Sequence, residues 1–209
     1  MKHLLVISSI VVFSLLACKK DKGGDSGTAD YMPMTAGSTW TYQPSQGAAY
    51  TLTATNRDTT ALGKTFRVFT STDGENRYRM KNGNEYYQLT VLPQIAPNGF
   101  VDLFLKDDQP VNATWKTTLP ITVPNIPFPL TADLNYTIKK KDTSIVVDSK
   151  VFNNVIRVRL DVSVQTFGTL GGGDFYYANK VGLVQSTFQM DIPGQSITQS
   201  LILKSYSIK

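Results

Sequence analysis

The chain has 209 residues, with 21 Lys and Arg against 16 Asp and Glu, a formal charge of +5. Apolar residues supply 41% and charged ones 18%, which excludes a disordered chain and fits one domain of ordinary size. The single His, His3, and the single Cys, Cys18, both stand at the start, so the body carries neither imidazole nor thiol. Histidine acid–base chemistry, His or Cys zinc sites, Ser–His and Cys–His nucleophiles and disulfides are thereby excluded from it.

Met1-Lys2-His3 is a short basic start, followed by the apolar run Leu4 to Leu16. As a helix that run spans roughly 20 Å, short of the roughly 30 Å hydrocarbon core of a bilayer. It reads as the apolar part of a secretory signal, not as a membrane span. Leu15-Leu16-Ala17-Cys18 at its end resembles the lipobox of bacterial lipoproteins. That resemblance implies diacylation of Cys18, removal of residues 1–17 and acylation of the new amine, an attachment to the membrane that is effectively permanent. Residues 18–30 are then the lipidated Cys and a tether whose three Lys and three Asp cancel, rich in Gly and without a large apolar side chain. Such a segment is flexible, with a reach of about 20 Å.

Residues 31–209 read as one all-β domain. Trp40 and Tyr42 lie two apart, on one face of a strand, where core packing is the default and an aromatic platform for a sugar or acyl chain the alternative. Tyr50, Leu52 and Ala54 alternate weakly, as do Phe66 and Val68. Arg77 to Lys81 and Glu85 to Leu92 flank Asn82-Gly83, a pair suited to a type I′ hairpin turn. Leu130, Ala132, Leu134, Tyr136 and Ile138 alternate strictly with polar residues, and so do Ile156, Val158, Leu160, Val162 and Val164. Period-2 alternation of this length means antiparallel sheet with one wet face. Further turns are expected at Asp73-Gly74, Asn98-Gly99, Lys139 to Asp142, Gly171-Gly172-Gly173 and Pro193-Gly194. The expected architecture is an antiparallel meander forming a curved sheet or open half-barrel, with a β-sandwich as the alternative.

Between these strands lies the uncharged, proline-rich stretch Leu119 to Leu130. Proline this dense is incompatible with a central strand, and an extended connection between two sheet halves is expected. Ile121, Val123, Ile126 and Phe128 in it are the candidate apolar contact surface, either packed on the core or exposed as a binding lip. Similar anchors recur in the same order on either side: Thr39-Trp40 and Thr114-Trp115, Lys64-Thr65-Phe66 and Lys150-Val151-Phe152, Tyr86-Tyr87 and Tyr176-Tyr177. They suggest two related halves, 31–107 and 108–209.

Gly37-Ser38-Thr39-Trp40-Thr41-Tyr42 and Tyr177-Ala178-Asn179-Lys180-Val181-Gly182-Leu183-Val184 resemble a Gly-x-x-Trp-x-Tyr opening and a Tyr-Ala-x-x-Val-Gly-Leu-Val closing pattern of poorly characterised Gram-negative envelope lipoproteins. The resemblance implies a curved antiparallel sheet, like the half-barrel of lipoprotein-carrier families, and no established activity. Gly182 is expected to form the turn or bulge that sets Tyr177 opposite Val184.

Catalysis has little support in this chain. The familiar serine-nucleophile and phosphate-loop signatures are missing. Glu85, Asp102, Asp107 and Asp108 are the carboxylates available to a glycan hydrolase, the least favoured reading. No catalytic residue, metal site or cofactor is expected. The function expected is that of a non-catalytic, lipid-anchored binding or scaffold module of the cell envelope, or else a carrier-like module sheltering a lipid or other apolar ligand. Its partners would be the membrane, through the acyl chains, and an envelope protein, glycan or lipid, with no nucleic acid. Lys19 after the acylated Cys points to the outer membrane, at its periplasmic face or at the cell surface.

Overall fold

A computed structural model describes residues 29–93, 96–121, 130–165, 167–192 and 195–209. Within them the chain forms twelve strands and no helix: β1 (Thr39–Pro44), β2 (Tyr50–Ala61), β3 (Lys64–Ser71), β4 (Arg77–Asn82), β5 (Glu85–Leu92), β6 (Ala96–Lys106), β7 (Thr114–Ile121), β8 (Leu130–Val147), β9 (Lys150–Val164), β10 (Gly168–Ala178), β11 (Gly182–Ile192) and β12 (Gln195–Ser207). All pairings are antiparallel and all strands belong to one sheet, in the order β6-β5-β4-β3-β2-β1-β12-β11-β10-β9-β8-β7. This is a meander wound into a nearly closed barrel. The first and last strands pair along Thr39↔Ser207 to Pro44↔Leu201. The barrel is open instead between β6 and β7, the two sheet edges. A sandwich of two sheets is excluded by this continuity.

Both edge strands carry a proline, Pro97 in β6 and Pro120 in β7. Proline lacks the N–H that a ladder needs, so it is tolerated at an edge and hinders zipping of two edges together. Side chains bridge the seam in place of a ladder. The Trp115 indole N–H donates to the Leu103 carbonyl at 2.7 Å, and the Leu103 N–H donates to the Thr117 hydroxyl at 3.4 Å. The proline-rich stretch therefore does not join the sheet halves as expected. It connects β7 to β8, its ends being strand residues Leu119–Ile121 and Leu130, while the short 107–113 connection links the halves along the chain and the β1–β12 ladder pairs them.

Several expected turns are irregularities inside strands. Lys139 to Asp142 lies within β8, whose register slips three times against β9 between Ile138 and Ile145, and Asp142 takes φ 51°. Asn98-Gly99 lies within β6, and Gly99 at φ 70° stands where pairing with β5 breaks. Gly171-Gly172-Gly173 is strand β10, chosen for closeness rather than flexibility: a Cβ on Gly172 would stand 2.1 Å from the Leu160 carbonyl oxygen, and one on Gly173 2.1 Å from that of Thr187. The β4–β5 loop is Gly83-Asn84 rather than Asn82-Gly83, with positive φ at Gly83 alone, which is the requirement of a type II′ turn and not of type I′. A turn does occupy the Asp73-Gly74 position, whereas Pro193-Gly194 lies outside the described residues. Tyr177 pairs with Leu183 rather than Val184, because the register slips between Tyr176 and Tyr177.

Two of the three repeated anchors hold equivalent places. Trp40 and Trp115 sit on the first strand of each six-strand half, and Lys64 and Lys150 each follow a two-residue turn with positive φ at both positions, Leu62-Gly63 and Asp148-Ser149. The third pair falls out of step, on the fifth strand of one half and the fourth of the other.

The inward faces fill the barrel. One cluster gathers Tyr136, Ile138, Ile156, Val158, Leu160 and Tyr177, and a second gathers Trp40, Tyr42, Leu52, Phe69, Val155, Val184 and Leu203. The segment before β1 enters this interior. Tyr31 and Met32 are buried, the Tyr31 N–H donates to the Tyr86 hydroxyl at 3.2 Å, and the Asp30 carboxylate pairs with Lys81 at 3.2 Å. The tether's last residue, Asp30, is thus already fixed to the barrel.

Candidate functional site

One strand reverses the usual alternation. In β4 the cations Arg77, Arg79 and Lys81 face inward, and each lies over an aromatic ring of the barrel lining. Arg77 is 6.0 Å from the Tyr50 centroid, Arg79 5.1 Å from Phe69, and Lys81 5.0 Å from Tyr86. A ring face attracts a cation electrostatically, which makes such burial tolerable. The outer two are also neutralised: Arg77 by Asp73 and Glu75, each at 3.1 Å, and Lys81 by Asp30. Among the described residues Arg79 meets no carboxylate.

Register carries the polarity onward from Arg79. Arg79 pairs with Gln88 of β5, and Gln88 pairs with Asp102 of β6, so the three side chains form a row across the inner face and end at the seam. Asp102 is 3% exposed. Its Oδ2 accepts from the Tyr136 hydroxyl at 2.7 Å and from the Gln88 amide at 3.2 Å. Thr117 approaches from β7 and also favours the anion, yet Oδ1 has no partner in hydrogen-bond geometry among the described residues. Burial dominates and holds the Asp102 carboxyl above the ordinary carboxylate range. Burial likewise raises the Tyr136 hydroxyl, with the neighbouring Asp102 adding to it.

The row borders a cavity of about 220 Å³. Its apolar lining is formed by Phe100 and Phe104, which flank Asp102 on β6, by Leu134, Leu160, Phe175, Tyr177 and Leu183, and by Tyr31 and Met32 from the entering segment. A wider groove of about 590 Å³ along β4 and β5 shares Arg79, Gln88 and Thr90 with it, so these residues border both. An apolar chamber with a few convergent polar groups is the usual form of a small-molecule site.

The residues singled out from sequence lie elsewhere. Trp40 and Tyr42, each 2% exposed, are core and form no platform. The Trp40 indole N–H donates to the Val181 carbonyl at 2.7 Å, and the Tyr42 hydroxyl to that of Leu183 at 2.9 Å, so both polar tips are consumed in tying β1 to β11 and the turn before it. Ile121 is buried with Leu119, Leu130 and Val164, packed rather than exposed as a lip. Val123, Ile126, Phe128 and Cys18 lie outside the described residues. Of the four carboxylates, only Asp102 lines the cavity. Glu85 is engaged by Lys106 at 2.9 Å, Asp107 by the Tyr86 hydroxyl at 2.6 Å, and Asp108 by the Gln109 amide at 3.0 Å, all at the far end of β5 and β6. Among the described residues no group of His, Cys, Asp or Glu is arranged to hold a metal ion. Arg79 and Gln88 were missed. Their signal was the inverted alternation Arg77-Tyr78-Arg79-Met80-Lys81, in which the charged parity is the inner one.

The fold and site define a nearly closed antiparallel barrel with a polar row at its open seam. The chain matches no family model and no curated protein. Three solved structures are similar to it in fold. One is described as a lipoprotein from Parabacteroides distasonis, 12% identical, covering 86% of this chain and 99% of that one at a TM-score of 0.49. Another is described as an exported protein with a YmcC-like fold from Bacteroides fragilis, 12% identical, with coverage of 86% and 99% and a TM-score of 0.44. The third is the hypothetical lipoprotein YmcC from Escherichia coli, 10% identical, with coverage of 82% and 85% and a TM-score of 0.43.

Proposed function

We propose that this is a non-catalytic binding module of the cell envelope, anchored through acyl chains on Cys18, that takes a small amphipathic ligand into the cavity beside the seam. The observation that carries this reading is an apolar chamber bordered by the polar row Arg79, Gln88 and Asp102, in which Arg79 meets no carboxylate among the described residues. Of the side chains that would line the concave face of a roomy carrier, Trp40 and Phe66 are buried, whereas Leu160 and Phe175 do line the cavity. A volume of about 220 Å³ is too small for a diacyl lipid, which favours a small-ligand module over a lipid carrier. The anchor rests on Leu15-Leu16-Ala17-Cys18, and Lys19 supports outer-membrane residence. The outer face of β8 to β10 carries Asp133, Asn135, Arg157, Arg159, Asp161 and Asp174, suited to water rather than hydrocarbon. Among the described residues no helix is long and apolar enough to cross a membrane.

Mass spectrometry of the protein extracted from its envelope in mild detergent tests both parts. The expected result is an acylated Cys18 and a co-purifying small molecule that is lost from an Arg79→Gln, Asp102→Ala variant. Retention of the same molecule by that folded variant would refute the cavity as its site.

A further inference from the structure

The two ends of the barrel differ in charge and in their distance from the chain's entry point. Resting on the Cys18 anchor proposed above, we propose that the end at which the chain enters is a docking face for a bilayer containing anionic phospholipid. The β8–β9 hairpin is the part laid on the headgroups.

Connections in an antiparallel meander alternate between two ends. The Asp30 N–H donates to the Asn179 side-chain oxygen at 2.8 Å, the Asp30 carbonyl accepts from the Lys180 N–H at 2.6 Å, and the Asp30 carboxylate pairs with Lys81 near the close of β4. The chain therefore comes in at the end that carries the 62–63, 83–84, 107–113, 148–149 and 179–181 connections. A tether reaching about 20 Å keeps that end beside the membrane surface.

The β8–β9 hairpin outruns its neighbours there, since β7 begins opposite Thr137 and β10 ends opposite Val155. This overhang leans across the end of the barrel. Val147 and Phe152 pack into the Trp40 cluster, and at the tip Asp148 pairs with Lys204 of β12. Val146 and Val151, paired across the hairpin, point away from that core and are 65% and 64% exposed. At the same end the β2–β3 turn holds Leu62 at φ 50° and 55% exposed, a position where a hairpin turn favours Asn or Gly. Val111 is exposed in the 107–113 connection.

Lysines gather at this end. Lys81, Lys106 and Lys204 are engaged by Asp30, Glu85 and Asp148, whereas Lys64, Lys139, Lys140 and Lys150 are exposed and meet no carboxylate among the described residues. The described residues of the opposite end hold no lysine; Arg77 is matched there by Asp73 and Glu75, and Asp191 adds a negative charge. Val91, Leu92 and Phe167 are exposed at that end too, so charge is what separates the two. Apolar side chains among unmatched lysines suit an anionic interface, the first entering the headgroup layer and the second meeting its phosphates. Acyl chains alone would let the barrel tumble on its tether, whereas this face fixes its orientation.

The full acylated protein, reconstituted in phosphatidylcholine vesicles with or without phosphatidylglycerol, tests the proposal. A bimane fluorophore is placed at Ser144→Cys on the hairpin or at Ala48→Cys at the opposite end, with a headgroup nitroxide lipid as quencher. Acylated Cys18 should take no label. Quenching is expected at position 144 and not at 48, only with phosphatidylglycerol. It should be lost in high salt and in a folded Lys139→Glu, Lys140→Glu variant. Equal quenching at both positions, stronger quenching at 48, or quenching at 144 that survives charge reversal or needs no anionic lipid would overturn the docking face. Flotation of the vesicles reads the anchor separately. Protein that floats without selective quenching keeps the anchor and loses the docking face; protein that does not float loses both.

Discussion

Replacing Asp102 by Asn should change how stability depends on pH more than it changes stability at any one pH. The carboxyl is 3% exposed, and burial raises its folded-state pKa above the value near 4 of the unfolded chain. A raised carboxyl binds its proton more tightly when folded, so between the two pKa values the native state holds more protons than the unfolded one. Stability contributed by this group is accordingly intact below the unfolded pKa, falls as pH rises toward the folded pKa, and is fully lost above it. The slope in that window approaches about 1.4 kcal/mol per pH unit for one group. Asn keeps an acceptor for the Tyr136 hydroxyl and the Gln88 amide but cannot ionise. Urea unfolding followed by Trp fluorescence, at half-unit steps from pH 4 to 8, gives the difference between variant and wild type directly. Asp73, Glu85 and Asp108, whose pKa values are lowered by their hydrogen-bond partners or ion pairs, act in the opposite sense in both proteins and cancel in that difference. The variant should gain on the wild type steadily with rising pH. Parallel curves would refute a desolvated carboxyl at the seam.

Other perturbations probe the anchor, the seam and the packing. Cys18→Ala should abolish palmitate labelling and release the protein from carbonate-washed membranes; a variant that stays bound would end the anchor proposal. Trp115→Phe keeps a ring to stack on Tyr136 but removes the donor to the Leu103 carbonyl, and should cost about 0.5–1.5 kcal/mol with faster amide exchange in β6 and β7. Gly172→Ala should cost at least about 1–3 kcal/mol, since its methyl meets the Leu160 carbonyl rather than a yielding side chain, and an unchanged melting temperature would contradict that contact. Ile121→Ala should lose about 2–5 kcal/mol if it is core, whereas a stable protein would restore the lip.

Where alternation was strict, the sequence was enough. Ile156 to Val164 and Leu130 to Ile138 place their apolar parity inside, and the sheet wraps around it. Glycine and lysine runs misled for a common reason: a permissive backbone or a charged cluster is compatible with a turn, but also with a bulge or a strand under close contact. Only the neighbouring strand decides, and its identity is a long-range property. β10 keeps its three glycines because β9 and β11 press on it from both sides. The inward cations of β4 were hidden for the same reason, since Tyr50, Phe69 and Tyr86 come to lie beneath them only once β2, β3 and β5 have paired. Asp102 was recognisable as a carboxylate, but its burial depends on Tyr136, 34 residues away.

The open seam and the polar row have one physical origin. An edge strand that no neighbour pairs leaves N–H and C=O groups unmet, and covering or bridging them is a general requirement. Here Pro97 and Pro120 discourage a ladder, and the bridging falls to Trp115 and Thr117 on the backbone and to Tyr136 on Asp102. The long Tyr136 side chain of β8 spans the distance to a carboxyl on β6, which a backbone carbonyl and amide could not. Closing the barrel with a twelfth ladder would remove the need for Asp102 and, with it, the polar end of the cavity. An occupant of the cavity would pack against β4, β6 and β8 at once, so ligand binding should slow amide exchange at the seam as well as in the pocket.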